Sequence, residues 1–199
     1  MEQKKKTAIT KEKILKAAEA EFSELGLAAS RVDSIAAKAG LNKQMIYAHF
    51  GSKDGLYTAV LQEVYSRISR NEALVSEKEF TGIETVRLII RDYFEFLLHN
   101  PSFVRLMQWE NLNNAKYVTN IKTTLFSGAK KVLTEGVQKG ILREDLDIDQ
   151  TVISLNMFCF SAFSNIHTIS KLLNVDLSSE AELKKRASHI EEVLIKYVI

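Results

Sequence analysis

The chain is short of the residues that interrupt helices and of those that cross-link small folds. One proline and eight glycines occur in 199 residues, so long stretches carry nothing that removes a helical hydrogen bond or loosens the backbone. A single cysteine, Cys159, cannot form an internal disulfide. It sits inside an apolar run, which reads as a buried thiol in a reducing compartment. No run of about 18 apolar residues occurs, so no membrane-spanning helix is expected. The N-terminal MEQKKKTAIT has the positive charge of a secretory signal but lacks the apolar stretch that should follow, which points to a cytoplasmic protein. Four histidines, His49, His99, His167 and His189, are scattered without a cysteine partner, and no metal site is implied. Neither a nucleophile elbow nor a phosphate-binding glycine loop is present, so no cofactor and no enzymatic activity are expected. Period-two alternation of convincing length is missing as well, which leaves strands without a sequence signal.

What remains is helical patterning. Ile14, Ala18, Phe22 and Leu25 form one stripe on a helix of roughly residues 10–25, stopped by Gly26. Ser30, with Asp33 three residues on, has the look of a helix start, and Val32, Ile35, Ala36 and Ala39 make that helix's buried face before Gly40 ends it. Asn42 is placed to cap a short helix over 43–49, and Ser52 to cap a fourth whose Leu56, Val60, Val64 and Ile68 follow at steps of four. Further helices are expected over 82–99, from Pro101 to about Asn113, over 115–139 ended by Gly140, and over 149–173. Leu183, Ala187, Ile190, Leu194 and Tyr197 follow at 4, 3, 4, 3, the narrow seam of helix-on-helix contact. The expectation is an all-α fold of about nine helices.

The net charge is only +2, but it is unevenly placed. Residues 1–55 carry ten Lys/Arg against seven Asp/Glu, and the remainder 17 against 18. The positive end therefore coincides with the segment GLNKQMIYAHFGSKDGL. At about 100° per residue, Lys43, Gln44, Tyr47 and Ala48 share one side of the short helix, while Leu41, Ile46 and Phe50 anchor it from the other. Two helices joined by a glycine turn, the second with a polar N-terminal side, form the plan of a helix-turn-helix reader of double-stranded DNA. Lys43 can donate to guanine and Gln44 can pair with adenine in the major groove. Tyr47 and His49 suit phosphates, as do Ser30, Arg31 and Lys53 at the starts of two helices. Met45 either reaches a thymine methyl or packs inward. The lysines of the first residues, Lys4, Lys5 and Lys6, form a flexible basic arm.

The segment KILKAAEAEFSELGLAASRVDSIAAKAGLNKQMIYAHFGSKDGLYTAVL resembles the N-terminal domain of the TetR family of bacterial transcriptional regulators. The resemblance lies in A-x-x-x-F-x-x-x-G, IAAKAGLNK, IYAHF and SKDGL, about a quarter of the chain, and PSFVRLMQWENL is similar to a segment of some members' C-terminal domains. Met45 stands where smaller residues are common. The resemblance implies a homodimer, usually a repressor, that reads a palindromic operator through half-sites about 34–36 Å apart or a multiple of that. It also implies a ligand cavity in the C-terminal domain and a dimer contact by the last two helices. Three segments are expected: an arm over 1–10, a DNA-binding domain over 11–52 and a regulatory domain over 53–199.

For the small-molecule effector, largely apolar in this reading, the aromatic and flexible side chains Tyr93, Phe94, Met107, Trp109, Tyr117, Phe126, Phe160 and Phe163 are candidates. Phe103, Met157 and Phe158 belong to the same apolar set. Polar residues set into apolar helix are sharper candidates, since a buried polar group needs a partner: Asn156, Asn165 and His167, and Gln108, Glu110 and Asn111 beside Trp109. Glu110 next to an aromatic surface suits a cationic ligand, or else an ion pair with Arg91 or Arg105. For the dimer contact the candidates are Phe163, Leu183, Ala187, Ile190, Leu194 and Tyr197.

Overall fold

The computed structural model describes residues 2–76 and 81–199, and side chains over 7–73 and 81–199. Its regular elements are α1 (Glu2–Ala29), α2 (Val32–Ala39), α3 (Lys43–Phe50), α4 (Lys53–Ser76), α5 (Ile83–His99), α6 (Pro101–Leu112), α7 (Ser127–Gln138), α8 (Ile148–Ser164), α9 (Ile166–Leu173) and α10 (Glu180–Val198). One 3-10 turn, Val118–Asn120, completes them, and there is no strand among the described residues. The fold is all-α, with ten helices among the described residues. The chain divides into two compact units, Met1–Ser66 with Arg105–Thr123, and Arg67–Val104 with Thr124–Ile199. Helix α4 begins in the first and ends in the second, so the cut falls well past the expected boundary at residue 52.

In the first unit α1 packs on α2 and α2 on α3. Ile14, Ala18 and Phe22 are fully buried as their spacing predicts, but Leu25 is 42% exposed, because the helical backbone breaks immediately after it. Gly26 sits at φ 69°, ψ 173°, a region open in practice only to glycine. A side chain there would also meet the Trp109 ring at 2.9 Å. Helix α1 starts at Glu2, so the expected flexible arm is helical from residue 2 onward. Glu, Gln, Lys and Ala are good helix formers and nothing breaks the run. The side chains of Lys4, Lys5 and Lys6 lie outside the described residues.

The buried carboxylate of Glu21 ties α1 to α2. It accepts from Ser34 Oγ at 2.9 Å, Lys38 Nζ at 2.6 Å and the Arg31 amide at 3.4 Å. The start of α2 differs from expectation. Arg31, not Ser30, is the N-cap. The Ser30 hydroxyl turns inward and donates to the carbonyl of Gly26 at 2.6 Å. A second buried carboxylate, Glu110 of α6, accepts from Tyr57 Oη at 2.9 Å and from the Tyr117 and Val118 amides at 3.0 and 3.2 Å. Those amide bonds account for the loss of the expected helix over 115–126. Asn114 and Ala115 take positive φ, the chain turns back onto Glu110, and helix resumes only at Ser127. The stretch NNAKYVTNIKTT is rich in residues that favour turns over helix.

In the second unit α5 packs against α7, α8 and α10, with Val86, Ile89, Ile90, Phe94 and Leu97 buried. Cys159 is fully buried, as expected, and burial pushes its thiol up to about 12. The helix expected over 149–173 is two helices, broken at Asn165, whose φ −109° and ψ 8° are not helical. Its side-chain amide donates to Ser161 Oγ at 3.2 Å, the local competition with backbone bonds that disfavours Asn and Ser inside helices. Among the described residues no single helix is long and apolar enough to cross a membrane.

Candidate functional site

The short helix α3 is framed by glycines with positive φ, Gly40 at 67° before it and Gly51 at 74° after it. Asn42 caps it, accepting from the Met45 amide at 3.0 Å. Ile46 is fully buried and holds the helix down, with Leu41 and Phe50 half-buried beside it. Lys43, Gln44, Tyr47 and Ala48 are exposed together, Tyr47 at 45%. The face calculated from the sequence is therefore the face presented to solvent. Lys43 Nζ lies 3.1 Å from Asp33 Oδ1 of α2, an exposed pair of little energetic weight that nonetheless sets where the ammonium points. Met45 and His49 are half-buried, and the His49 ring stands against Phe50, centroids 6.1 Å apart.

The remaining DNA-contact candidates separate. Arg31 is exposed beside the start of α2. Ser30 is buried, and its hydroxyl has nothing to offer a phosphate. Lys53 directs its ammonium to the carbonyls of Ala28 at 3.2 Å and Ser30 at 2.7 Å. It thereby ties the start of α4 to the α1–α2 turn, with two of its three donors committed to those carbonyls. Ser52, as expected, caps α4 by accepting from the Gly55 amide at 2.9 Å.

The ligand candidates divide between the two units. Met107, Trp109, Glu110 and Tyr117 belong to the first. Trp109 Nε1 donates to the Ser23 carbonyl at 3.3 Å, Tyr65 Oη lies 2.9 Å from Met107 Sδ, and Tyr117 stacks edge-on against Tyr57. Glu110 pairs with neither Arg91 nor Arg105; it holds Tyr57, whose phenol is pushed up by burial and by that bond. The contacts named for these four side chains all lie within the first unit.

A cavity does exist in the second unit, among α4, α5, α7 and α8, lined in part by Ile68, Glu72, Asp92, Tyr93, Phe126 and Leu155. Its free volume is about 30 Å³, room for about two waters. Tyr93 and Phe126 line it as expected, with their rings edge-on at 6.0 Å. Asn156 accepts from Tyr93 Oη at 2.6 Å, so it stands behind the wall. Phe94 and Phe163 pair with each other at 4.8 Å, Phe160 is half-buried and His167 exposed. None of these four lines the cavity.

Glu72 went unnoticed in the sequence. Its two oxygens accept from the Phe126 and Ala129 amides at 2.9 and 3.0 Å, capping the start of α7 from α4. Burial raises its carboxyl above the usual range against the pull of those bonds. Asp92, equally unnoticed, accepts from Asn71 Nδ2 at 2.7 Å. The signal for Glu72 was present: it continues the steps of four through Leu56, Val60, Val64 and Ile68.

The dimer candidates need correction. Ile190 and Leu194 are buried inside the protomer, and Leu194 faces the α5–α8 core. The Ile190 and Leu194 positions of the 4–3–4–3 seam therefore pack within the second unit. Leu183 and Ala187 are half-buried, Phe163 packs on Phe94, and only Tyr197, at 42%, is open. Other apolar side chains stay exposed on α8 and α10, notably Ile153, Met157 and Val193.

Comparison with known proteins agrees with this architecture. The family described as bacterial regulatory proteins, tetR family, matches residues 14–60, and the tetracyclin repressor-like C-terminal domain matches residues 83–194. The HTH-type transcriptional repressor NicS of Pseudomonas putida is 29% identical over 177 residues, 86% of this chain and 84% of that protein. The fatty acid metabolism regulator protein of Bacillus subtilis is 30% identical over 140 residues, covering 68% and 72%. Among solved structures, the regulator FadR of Bacillus subtilis in complex with stearoyl-CoA superposes with a TM-score of 0.70 at 22% identity, over 94% of this chain and 98% of that one. That likeness shows the fold. Together with the two family matches, the exposed reader face of α3 leads to one conclusion: the chain belongs to the tetR family of bacterial regulatory proteins, DNA-binding regulators of transcription.

Proposed function

We propose that the chain is a homodimeric repressor that reads a palindromic operator and is released from it by a small molecule. The observation that carries the reading is the division of α3, with Ile46 fully buried and Lys43, Gln44 and Tyr47 held outward in fixed register. Lys43 and Gln44 read base edges, Tyr47 and Arg31 meet the backbone, and Met45 and His49 sit at the edge of the contact. The two readers of a dimer meet half-sites one helical turn or a multiple apart. Its interface is built from the apolar side chains left open on α8 and α10, Ile153, Met157, Val193 and Tyr197. The chain acts in the cytoplasm, where its DNA is.

Release follows from linkage. A ligand in the second unit lowers operator affinity by the factor with which it prefers the DNA-free form, about 1.4 kcal/mol for each tenfold. Helix α4 carries residues of both units and is the element through which the cavity's state reaches the reader. Because the free cavity is so small, a second reading stands beside this one, a regulator without an effector. Selection of bound fragments from genomic DNA, then titration of the best fragment at two salt concentrations, tests the DNA reading. A palindrome bound at nanomolar affinity with a large specificity ratio is expected, and weak, sequence-blind binding rejects it. Operator affinity that no bound compound alters would leave the effector-free reading.

A further inference from the structure

Another hollow of the second unit lies apart from the core cavity, in the elbow where α8 breaks at Asn165 and α9 leaves at 71°. Asn174 ends α9 with φ 54°. The chain then returns toward α10 through Leu177, whose amide donates to Ser170 Oγ at 3.2 Å. Ile166, Ile169, Leu177 and Leu183 line the elbow, and its free volume is about 330 Å³. That lies at the compact end of the range for small-molecule pockets, about 300–1,000 Å³. One wall holds Arg186 of α10, half-buried. Its guanidinium has no hydrogen bond or ion pair among the described residues. The carboxylate in the same lining, Glu182, is taken by Lys185 Nζ at 2.6 Å. Ser161 and Asn165, also in the lining, bond to each other. The Arg186 charge pulls the buried Cys159 thiol downward against the effect of burial, so it lies over α8 and not away in solvent.

We infer that this elbow binds a compact organic monoanion, its carboxylate held by Arg186 and its apolar body seated among Ile166, Ile169, Leu177 and Leu183. The inference goes beyond the operator reading and does not depend on it. A guanidinium stays charged at any physiological pH and presents a rigid fork of N–H donors that fits a carboxylate with two parallel bonds. Here that fork is half-withdrawn from water against an apolar wall and has no acceptor of its own. A carboxylate supplies one, and the apolar body gains by leaving water. A neutral head leaves the charge of Arg186 unmatched. An ammonium meets a like charge, while the one carboxylate in the lining is already engaged by Lys185. That mismatch separates the heads as firmly as the favourable contact does.

Three probes with one body separate head charge from apolar burial: cyclohexanecarboxylate, cyclohexylmethanol and cyclohexylmethylamine. Calorimetric titration into the full-length protein at neutral pH is expected to rank them acid, alcohol, amine, with the acid tighter than the amine by about tenfold or more. Arg186→Met keeps an apolar stem in the wall and removes the charge, and it should abolish that preference. Leu173 also lines the elbow and is 64% exposed, so Leu173→Glu should fold normally. It sets a like charge at the mouth and should weaken the acid severalfold. Failure of the acid to bind, an amine that binds as tightly, or an unchanged preference in Arg186→Met overturns the inference. Acid affinity unchanged in Leu173→Glu overturns it too, because the probe then sits elsewhere. Sedimentation of the same samples tests the other occupant. If Arg186→Met weakens self-association while no probe binds, the elbow belongs to a second copy of the chain and the inference falls. An acid whose binding depends on Arg186 upholds the site whether or not operator affinity changes, so the outcome is independent of the repressor reading.

Discussion

Three carboxylates occupy positions that their helices otherwise reserve for apolar side chains, and each is the tie for a different junction. Glu21 follows Ile14 and Ala18 at seven and three residues on α1, Glu72 continues the steps of four on α4, and Glu110 follows Phe103 and Leu106 on α6. An acid on an apolar stripe is readable from sequence as a buried group needing donors. Which donors it finds is not, because they come from Ser34 and Lys38, from the α7 amides and from Tyr57. Glu21→Ala strands the Ser34 hydroxyl and the Lys38 ammonium. The expected cost is about 1–2 kcal/mol in urea unfolding, below the range for a fully buried pair because Lys38 can turn to water. The bond from Lys38 holds the Glu21 carboxyl below its ordinary 4.5. Its stabilisation is thus full above the unfolded value and lost as pH falls through the lower folded one. The acid side of the stability profile, below 4.5, should be flatter in Glu21→Gln than in the parent. The glycines make a second contrast. Gly26→Ala must strain φ 69° and press a methyl into Trp109 at 2.9 Å, so a loss of at least about 2 kcal/mol is expected. Gly40→Ala meets nothing within 4 Å and should cost only about 1 kcal/mol, the left-handed backbone penalty. Equal losses in thermal denaturation would show that the Trp109 contact does not matter.

Elements were legible where a stripe and two punctuating residues coincide, and obscure where tertiary partners decide. Asn42, Gly40 and Gly51 delimit α3 without help from the rest of the chain, so both its extent and its outward face were readable. The stretch after α6 was not: Glu110 draws in the Tyr117 and Val118 amides, and no local pattern announces that. The seam of α10 is legible as apolar contact, but spacing says that a helix packs and not against what, and Ile190 and Leu194 pack within the protomer. The correction is testable. Leu194→Ala removes a buried side chain facing α5 and α8, and about 2–5 kcal/mol of unfolding free energy should be lost. Tyr197→Ser, on the exposed side of the same helix, should leave thermal stability at high dilution nearly unchanged and weaken self-association in sedimentation. A variant pattern with these effects exchanged would return Leu194 to the subunit interface.

At the scale of the whole molecule, the two copies of α3 in the proposed dimer make each substitution count twice, and this separates base readers from phosphate binders. Every phosphate neutralised by a lysine or arginine contributes about −0.9 to the slope of log affinity against log salt. An Arg31→Ala dimer loses two such contacts in the proposed arrangement, so its slope should become shallower by about 1.8, with all sequences weakened alike. Lys43→Ala should behave differently. If its ammonium donates to a guanine, the slope changes little, while discrimination at one base of each half-site falls by about 1–3 kcal/mol. The Asp33 carboxylate 3.1 Å away sharpens the test, because it partly satisfies Lys43 before DNA arrives. Asp33→Asn should then raise affinity for random DNA more than affinity for the operator, since a released lysine reaches whichever acceptor is nearest. Measured as the ratio of operator to random-sequence affinity at two salt concentrations, Asp33→Asn and Lys43→Ala should both lower specificity, the first by strengthening the wrong complex and the second by weakening the right one. A Lys43→Ala slope shallower by about 1.8 with unchanged base preference would place that lysine on the phosphates instead and leave Gln44 as the base reader on this face of α3.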